Sequence, residues 1–561
     1  MAAKRPNFLI IVADDLGYSD IAPYGGEIRT PNLDKLAKDG VRLTNFHTAP
    51  ACSPTRSMLF SGTDNHIAGL GQMAEYMRGN PEIFKGKPGY EGYLNMRVAA
   101  LSEILQDAGY LTIMSGKWHL GLTKEFAPCS RGFTKNFVFL PGAGNHHAWE
   151  PQLDDEEFRI PCMKTEKFWM DDGEFIDMKK DLPKDFYSTR SFTDRMLKFL
   201  GDRNAEEKEQ PFFAYLPFTA PHWPLQAPRD IVKKYEGMYD DGPDALTQKR
   251  LKRMVELGLI AEGTECHPPV GFLGKEWKDM SDEERKSSAR KMEIFSAMVE
   301  LIDENIGRVV DYLTETGELD NTFVLFMSDN GAEGAALEAA PVMGGAKTMA
   351  NIIDKHYDNS FDNMGEPTSF VWYGPRWASA ATAPSRAFKT WTTEGGIRCP
   401  CLVRYPGFGN KESAISSSFA TVMDVLPTVL ELAKVQHPGT SFRGRTVALP
   451  RGKTWVPHLS SSDLKQTSIH GEDTHIHGWE LFGMQAIREG PWKAMWIPAP
   501  KGKDDWELFN VEKDPAEKYN LVDKEPEILK RLVEHWERYF AETGMIHVPQ
   551  IALTRGVFPK K

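Results

Sequence analysis

Residues 8–17 read FLIIVADDLG and residues 323–332 read FVLFMSDNGA. Each is a continuous apolar run that stops at two oxygen-bearing side chains, with a glycine close behind. Runs without polar alternation are how strands buried on both faces read, which is the pattern of parallel sheets covered by helices. In such sheets the carboxyl ends of the strands line the ligand crevice. Two matched strand ends therefore predict that Asp14, Asp15, Asp329 and Asn330 converge. Oxygen donors without imidazole suit a hard divalent cation, Ca²⁺ or Mg²⁺. Taken singly, each end is equally a turn or a helix cap, and the pairing is what favours a site.

Outward from these strands, helix and buried strand alternate. SEILQDAGY (102–110) reads as helix and leads into YLTIMSGKWHLG (110–121), a strand running into a loop. A further apolar run spans Pro211 to Phe218. From Arg285 to Leu313 the apolar positions Met292, Phe295, Met298, Ile302, Ile306, Val309 and Leu313 keep helical spacing. The fold class expected is α/β, a mostly parallel sheet covered on both faces. Pro, Gly and Arg accumulate without period over 437–457 and mark a boundary, dividing residues 1–445 from a smaller part, 446–561. In the latter, MQAIREGPWKAMWIP and DWELFNVEKDP read as short antiparallel strands and 526–543 as an amphipathic helix. Residues 334–388 read as loops and short elements.

The 561 residues carry a formal net charge of −12, with 41% hydrophobic and 26% charged residues, the composition of an ordinary globular enzyme. The absence of a basic block argues against nucleic acid or an anionic membrane as partner. No apolar run approaches the length of a membrane span, the N-terminus lacks a signal-like segment, and six scattered cysteines do not resemble a disulfide framework. A cytoplasmic setting is expected.

Four more stretches carry chemistry. CSPTR (52–56) places Cys52 just before a helix start, with Pro54 in the first turn and Arg56 beside backbone N–H groups that hold anions. SGKWHLG (115–121) puts Lys117 and His119 two apart, facing the same way if extended. TAPHWP delivers His222 past a buried strand, and AFKTWTTEGG carries Lys389. Each could be structural alone. Together, cationic and protonatable groups around an acidic cation-binding cluster make the inventory for hydrolysing an ester of a tetrahedral oxyanion.

These stretches resemble the type I sulfatases of the alkaline phosphatase superfamily, close to soluble bacterial-type arylsulfatases. CSPTR fits their CxPxR core, and SMLFSGTDNH, GKWHLG, ADD, SDNG and WELFNVEKDPAEKYNL fit the rest, over nearly the whole chain. The resemblance implies an alkaline-phosphatase-like α/β/α sandwich. It implies that a separate formylglycine-generating enzyme oxidises Cys52 to Cα-formylglycine, whose hydrate attacks sulfur to give a covalent sulfated intermediate. By the same resemblance, Asp14, Asp15, Asp329, Asn330 and residue 52 hold one Ca²⁺, and Asp329 also takes the nucleophile's proton. Arg56 and Lys117 position residue 52, His119 takes the proton of its second hydroxyl, and His222 and Lys389 bind sulfate and assist the leaving alcohol.

The activity expected is therefore hydrolysis of small aryl sulfates. A phosphonate monoester or phosphodiester hydrolase, an alkyl sulfatase and a non-catalytic anion binder are the alternatives. Trp118, Trp223, His146, His147, Trp372 and Tyr373 are candidates for an apolar substrate wall, shaped by 334–388, although core packing explains the same rings.

Overall fold

The computed structural model describes residues 5–155, 167–271, 273–334, 346–409, 411–471 and 474–548. Its centre is a ten-stranded sheet. In spatial order the strands are Ala414–Ser416, Val41–Leu43, Cys401–Arg404, Thr322–Ser328, Asn7–Ala13, Phe212–Pro217, Leu111–Lys117, Lys135–Phe139, Trp169–Asp171 and Glu174–Ile176. The run from Thr322–Ser328 to Lys135–Phe139 is parallel throughout. An antiparallel strand flanks it on each side, Cys401–Arg404 on one and Trp169–Asp171 on the other, and Glu174–Ile176 pairs antiparallel with the latter at the sheet edge.

Every residue of the strands Asn7–Ala13, Leu111–Lys117, Phe212–Pro217 and Thr322–Ser328 is buried, as the unbroken apolar runs require. Side chains such as Leu9, Ile10 and Ile11 are fully withdrawn from water, each worth about 1.5–3 kcal/mol of transfer free energy. Helix Asp282–Glu315 opens with a capping box between Ser281 and Glu284 and buries all seven of the periodic apolar positions. It packs against helix Ser188–Gly201.

Beyond the hairpin Ser441–Phe442/Arg445–Thr446, a four-stranded antiparallel sheet runs Ile476–Leu481, Met484–Glu489, Trp492–Trp496 and Trp506–Asn510. The helix Pro526–Thr543 covers it through a small core of Ile487, Ala494, Leu508, Leu532 and Trp536. The main core continues into the inner part of this sheet through Trp479, Leu481, Met484 and Met495.

Several expectations change in detail. Cys52 is the first residue of helix Cys52–Ser61, not the residue before it; Gly62 ends the helix in the left-handed conformation. Strand Ile476–Leu481 escapes sequence reading because its apolar positions are interrupted by His477 and Glu480, which are buried rather than facing water: His477 packs on the rings of Trp479 and Tyr539, and Glu480 accepts from His66 and Gln72. The stretch read as loops and short elements contains helices Ala346–His356 and Pro375–Ala381, while 335–345 lie outside the described residues.

Candidate active site

The registry of the sheet builds the acidic cluster. Ala13 lies opposite Ser328 in the parallel pair, so the residues that follow, Asp14 and Asp329, emerge side by side. The Asp329 N–H donates to Ala13 O at 3.2 Å and the Asp15 N–H to Asp329 Oδ1 at 3.2 Å. Asp15 adopts φ 69°, turning the chain sharply at the strand end. The head of helix Cys52–Ser61 is aimed at this turn, with Cys52 Sγ 3.4 Å from Asp15 Oδ1.

One helical turn on, Arg56 donates from Nε and Nη2 to Asp329 Oδ2 at 2.9 and 2.8 Å, and from Nη1 to Lys117 O at 2.8 Å. Lys117, the last residue of its strand, reaches Asp14 Oδ2 at 2.5 Å. Lys389 arrives on a loop that meets the SDNG turn so closely that a Cβ on Gly331 would lie 1.8 Å from Gly395 O. Its Nζ lies 2.8 Å from Asp15 Oδ2, 3.1 Å from Glu333 Oε2 and 3.2 Å from His222 Nε2. His222 Nδ1 donates to Trp223 O at 2.7 Å, which leaves Nε2 as the acceptor facing Lys389.

All of these side chains are buried, and burial governs their titration. The Cys52 thiol is pushed well up by burial and by Asp15 and Asp329. Asp14 rises to about 7 through burial and its neighbouring carboxylates, against the pull of Lys117. His222 is pushed well down by burial and by Lys389 and Lys117, and His119 falls to about 4 by burial, with Glu75 opposing. Lys389 lies well above its ordinary value because Asp15 and its other partners outweigh burial.

The donor set fits a hard cation. Ligand atoms of Asp14, Asp15, Cys52 and Asp329 lie within 4.8 Å of one another. Asp14 Oδ1 and Asn330 Oδ1 are buried with no hydrogen-bond partner, a costly condition that a cation relieves. The carboxylates of Asp14, Asp15, Asp329 and Glu333 exceed the cations of Arg56, Lys117 and Lys389 by one charge. A divalent ion makes the cluster net positive, which suits a monoanionic ester.

The structure therefore brings Asp14, Asp15, Cys52, Arg56, Lys117, His222, Asp329, Asn330 and Lys389 to one place. His119 departs from the expected geometry. The strand ends at Lys117 and His119 takes φ 58°, so the two side chains do not point alike; His119 Nε2 turns to Glu75 Oε2 at 3.1 Å.

Among the proposed wall residues, Trp118 is core: fully buried against Phe60 and Phe133, with its indole N–H donating to Phe126 O. Tyr373 packs on Phe295. His146 braces the site by hydrogen bonding through Nε2 to His222 O at 2.9 Å, and His147 rests on Tyr187. Trp223, which lies against His222, continues through Phe370 to Trp372 as one aromatic surface. Glu75 and Glu333 were not singled out from the sequence: Glu75 sits in an unremarkable stretch, Glu333 lies just past the SDNG strand end, and only folding brings them to His119 and Lys389.

The Sulfatase family model matches residues 6–435. An uncharacterized sulfatase of Schizosaccharomyces pombe is 53% identical over 99% of this chain and 97% of its own length. The arylsulfatase of Klebsiella aerogenes is 39% identical over 79% of this chain and 90% of its own. The solved structure of Ps i-CgsB in complex with k-i-k-neocarrahexaose matches with a TM-score of 0.66 at 21% identity, covering 98% of this chain and 96% of that one, a likeness of fold. With its strand ends, helix head and basic side chains arranged as described, the chain belongs to the sulfatase family and is a sulfuric ester hydrolase.

Proposed function

We propose that the protein hydrolyses aryl sulfates to a phenol and inorganic sulfate, using residue 52 as Cα-formylglycine and one Ca²⁺ held by Asp14, Asp15, Asp329, Asn330 and residue 52. The observation that carries this reading is the placement of Cys52 at a helix head, 3.4 Å from Asp15 and inside a ring of buried cations. Likeness to an arylsulfatase at 39% identity favours an aryl ester over a phosphonate or alkyl sulfate. The hydrated aldehyde supplies one hydroxyl to attack sulfur and a second whose deprotonation lets sulfate leave. When bound, the cation supplies Lewis acidity that stabilises charge on the attacking oxygen and the sulfuryl group.

The chain's own residues do the remainder. Asp329, anchored by Arg56, receives the nucleophile's proton. Lys117 and Lys389 present ammonium groups to the sulfate oxygens, in a site closed enough for their charge to count. Lys389, oriented by the acceptor Nε2 of His222 at 3.2 Å, is the donor that assists the departing phenolate. His119 serves as base on the second hydroxyl. The aromatic surface of Trp223, Phe370 and Trp372 offers the aryl group an apolar contact.

Because Cys52 is only 1% exposed, a separate formylglycine-generating enzyme has to reach it before the chain closes over it. In this reading residues 1–445 carry the site and 446–561 brace it. The free state of all five described cysteines supports the cytoplasmic setting expected from the sequence.

Mass spectrometry of the peptide containing residue 52 tests the proposal. An aldehyde trapped by a hydrazide reagent, in protein that turns over an aryl sulfate faster than an aryl phosphonate, is the expected result. An intact thiol in fully active protein overturns it.

A further inference from the structure

The geometry points to Glu75 as a positioning residue that orients His119 and stabilises its protonated form during release of sulfate. The inference rests on the proposed formylglycine chemistry, and it adds a carboxylate partner to the base of the second half-reaction.

A carboxylate can only accept, so the 3.1 Å contact between His119 Nε2 and Glu75 Oε2 places the imidazole proton on Nε2. The lone pair then belongs to Nδ1, which is buried and has no hydrogen-bond partner. The ring lies directly against Gly142, where a Cβ would sit 2.6 Å from its Nε2 and Cε1, so only glycine leaves room for it in this position. His119 is therefore held with one nitrogen committed to Glu75 and the other available as a base.

Glu75 is itself firmly set. Arg78 Nη2 donates to its Oε1 at 2.8 Å. The preceding residues are anchored on both sides, Ala74 N to Ser53 Oγ at 3.4 Å next to residue 52, and Gln72 Nε2 to Glu480 Oε2 at 2.6 Å. Tyr76 packs between Phe84 and Phe482. Burial raises the Glu75 carboxyl, but His119 and Arg78 outweigh it and hold the group well below the usual carboxylate range. It is thus ionised when His119 gains a proton.

The step balances as follows. Nδ1 takes the proton of the second hydroxyl on residue 52. The electron pair of that O–H bond forms the C=O of the aldehyde, and the bond from the same carbon to the sulfate oxygen breaks, its pair leaving with sulfate. The imidazolium then shares its Nε2 proton with Glu75. A buried cation next to Lys117 and Arg56 would otherwise be unfavourable, and the carboxylate offsets that cost.

The test uses full-length protein whose aldehyde content has been measured, so that failure of the formylglycine reading appears first, as an absent aldehyde in the active wild type. In Glu75→Gln, which keeps an acceptor oxygen but no charge, steady-state turnover of a chromogenic aryl sulfate is expected to fall about ten- to a hundredfold. It should be preceded by a burst of phenol stoichiometric with the aldehyde, with a sulfate adduct on the residue-52 peptide and a KM that falls with kcat. Glu75→Asp keeps the charge and should give the same burst with a smaller slowing; it is the form to measure if the Gln variant does not fold. Slow turnover without burst or adduct, or unchanged kcat, overturns the proposal.

Discussion

Two sets of buried charges differ in how they are satisfied, one at the carboxyl ends of the main sheet and one where the C-terminal sheet meets the rest of the chain. In the first, Asp14 Oδ1, Asn330 Oδ1 and His119 Nδ1 have no hydrogen-bond partner. In the second, every carboxylate oxygen does. Asp64 accepts from His66 and Tyr539, and Glu480 from His66, Gln72 and the Gly483 N–H. Glu394 accepts from His47 and Lys493, and Glu517 from Lys493 and the Glu394 N–H. Satisfied networks hold parts together; a buried polar group left unsatisfied in a closed site awaits a ligand or a proton. The clamp and the site are nonetheless linked, because Glu394 follows Lys389 by five residues and Asp64 follows the helix that Cys52 begins.

The contrast is sharpest in Cys52→Ala. Turnover should fall to background, on the order of a millionfold as for loss of other catalytic nucleophiles, while the unfolding free energy shifts by only about 1 kcal/mol. Parallel kinetics and melting measure this, and a large loss of stability would give Cys52 a structural role. Lys493→Met is the converse case. It leaves Glu394 and Glu517 buried without their cation, so the expected loss is about 3–5 kcal/mol in denaturant unfolding, with turnover per folded molecule changing far less than in Cys52→Ala.

A smaller effect depends on pH. Burial lowers His66, but Asp64 and Glu480 outweigh it and lift the group to about 9, from 6.5 when unfolded. A raised folded value means that its contribution is fully present below about pH 6.5 and is lost as pH rises through 9. The stability difference between wild type and His66→Gln should therefore shrink across that window, by on the order of 3 kcal/mol. A constant difference would refute the clamp assignment.

The smallest expected effect is the response to Ca²⁺. At about a hundredfold over its dissociation constant the ion should add about 2.7 kcal/mol to wild-type stability, and far less to Asp14→Ala. An equal gain in both proteins would place the ion elsewhere.

Much of this was legible in the residue order. Continuous apolar runs identify strands buried on both faces, and the groups that follow them in sequence are carried to the crevice, so Asp14, Asp15, Asp329 and Asn330 could be read directly. The strand carrying Lys117 could be read, though not that it ends at Lys117. His119 could not be placed, because a left-handed residue breaks the alternation on which the reading depended. Trp118 was ambiguous because an aromatic side chain reads alike in a core and in a pocket wall.

By itself, then, the sequence determined the α/β class and the polar groups delivered at the two strand ends, since a buried strand and the residues that follow it are adjacent in the chain. Tertiary structure alone decided which nitrogen of His119 is available and which carboxylates attend the basic residues. Glu75 meets His119 across 44 residues and Asp15 meets Lys389 across 374. Such contacts arise from sheet registry and loop packing, and local sequence pattern does not encode them.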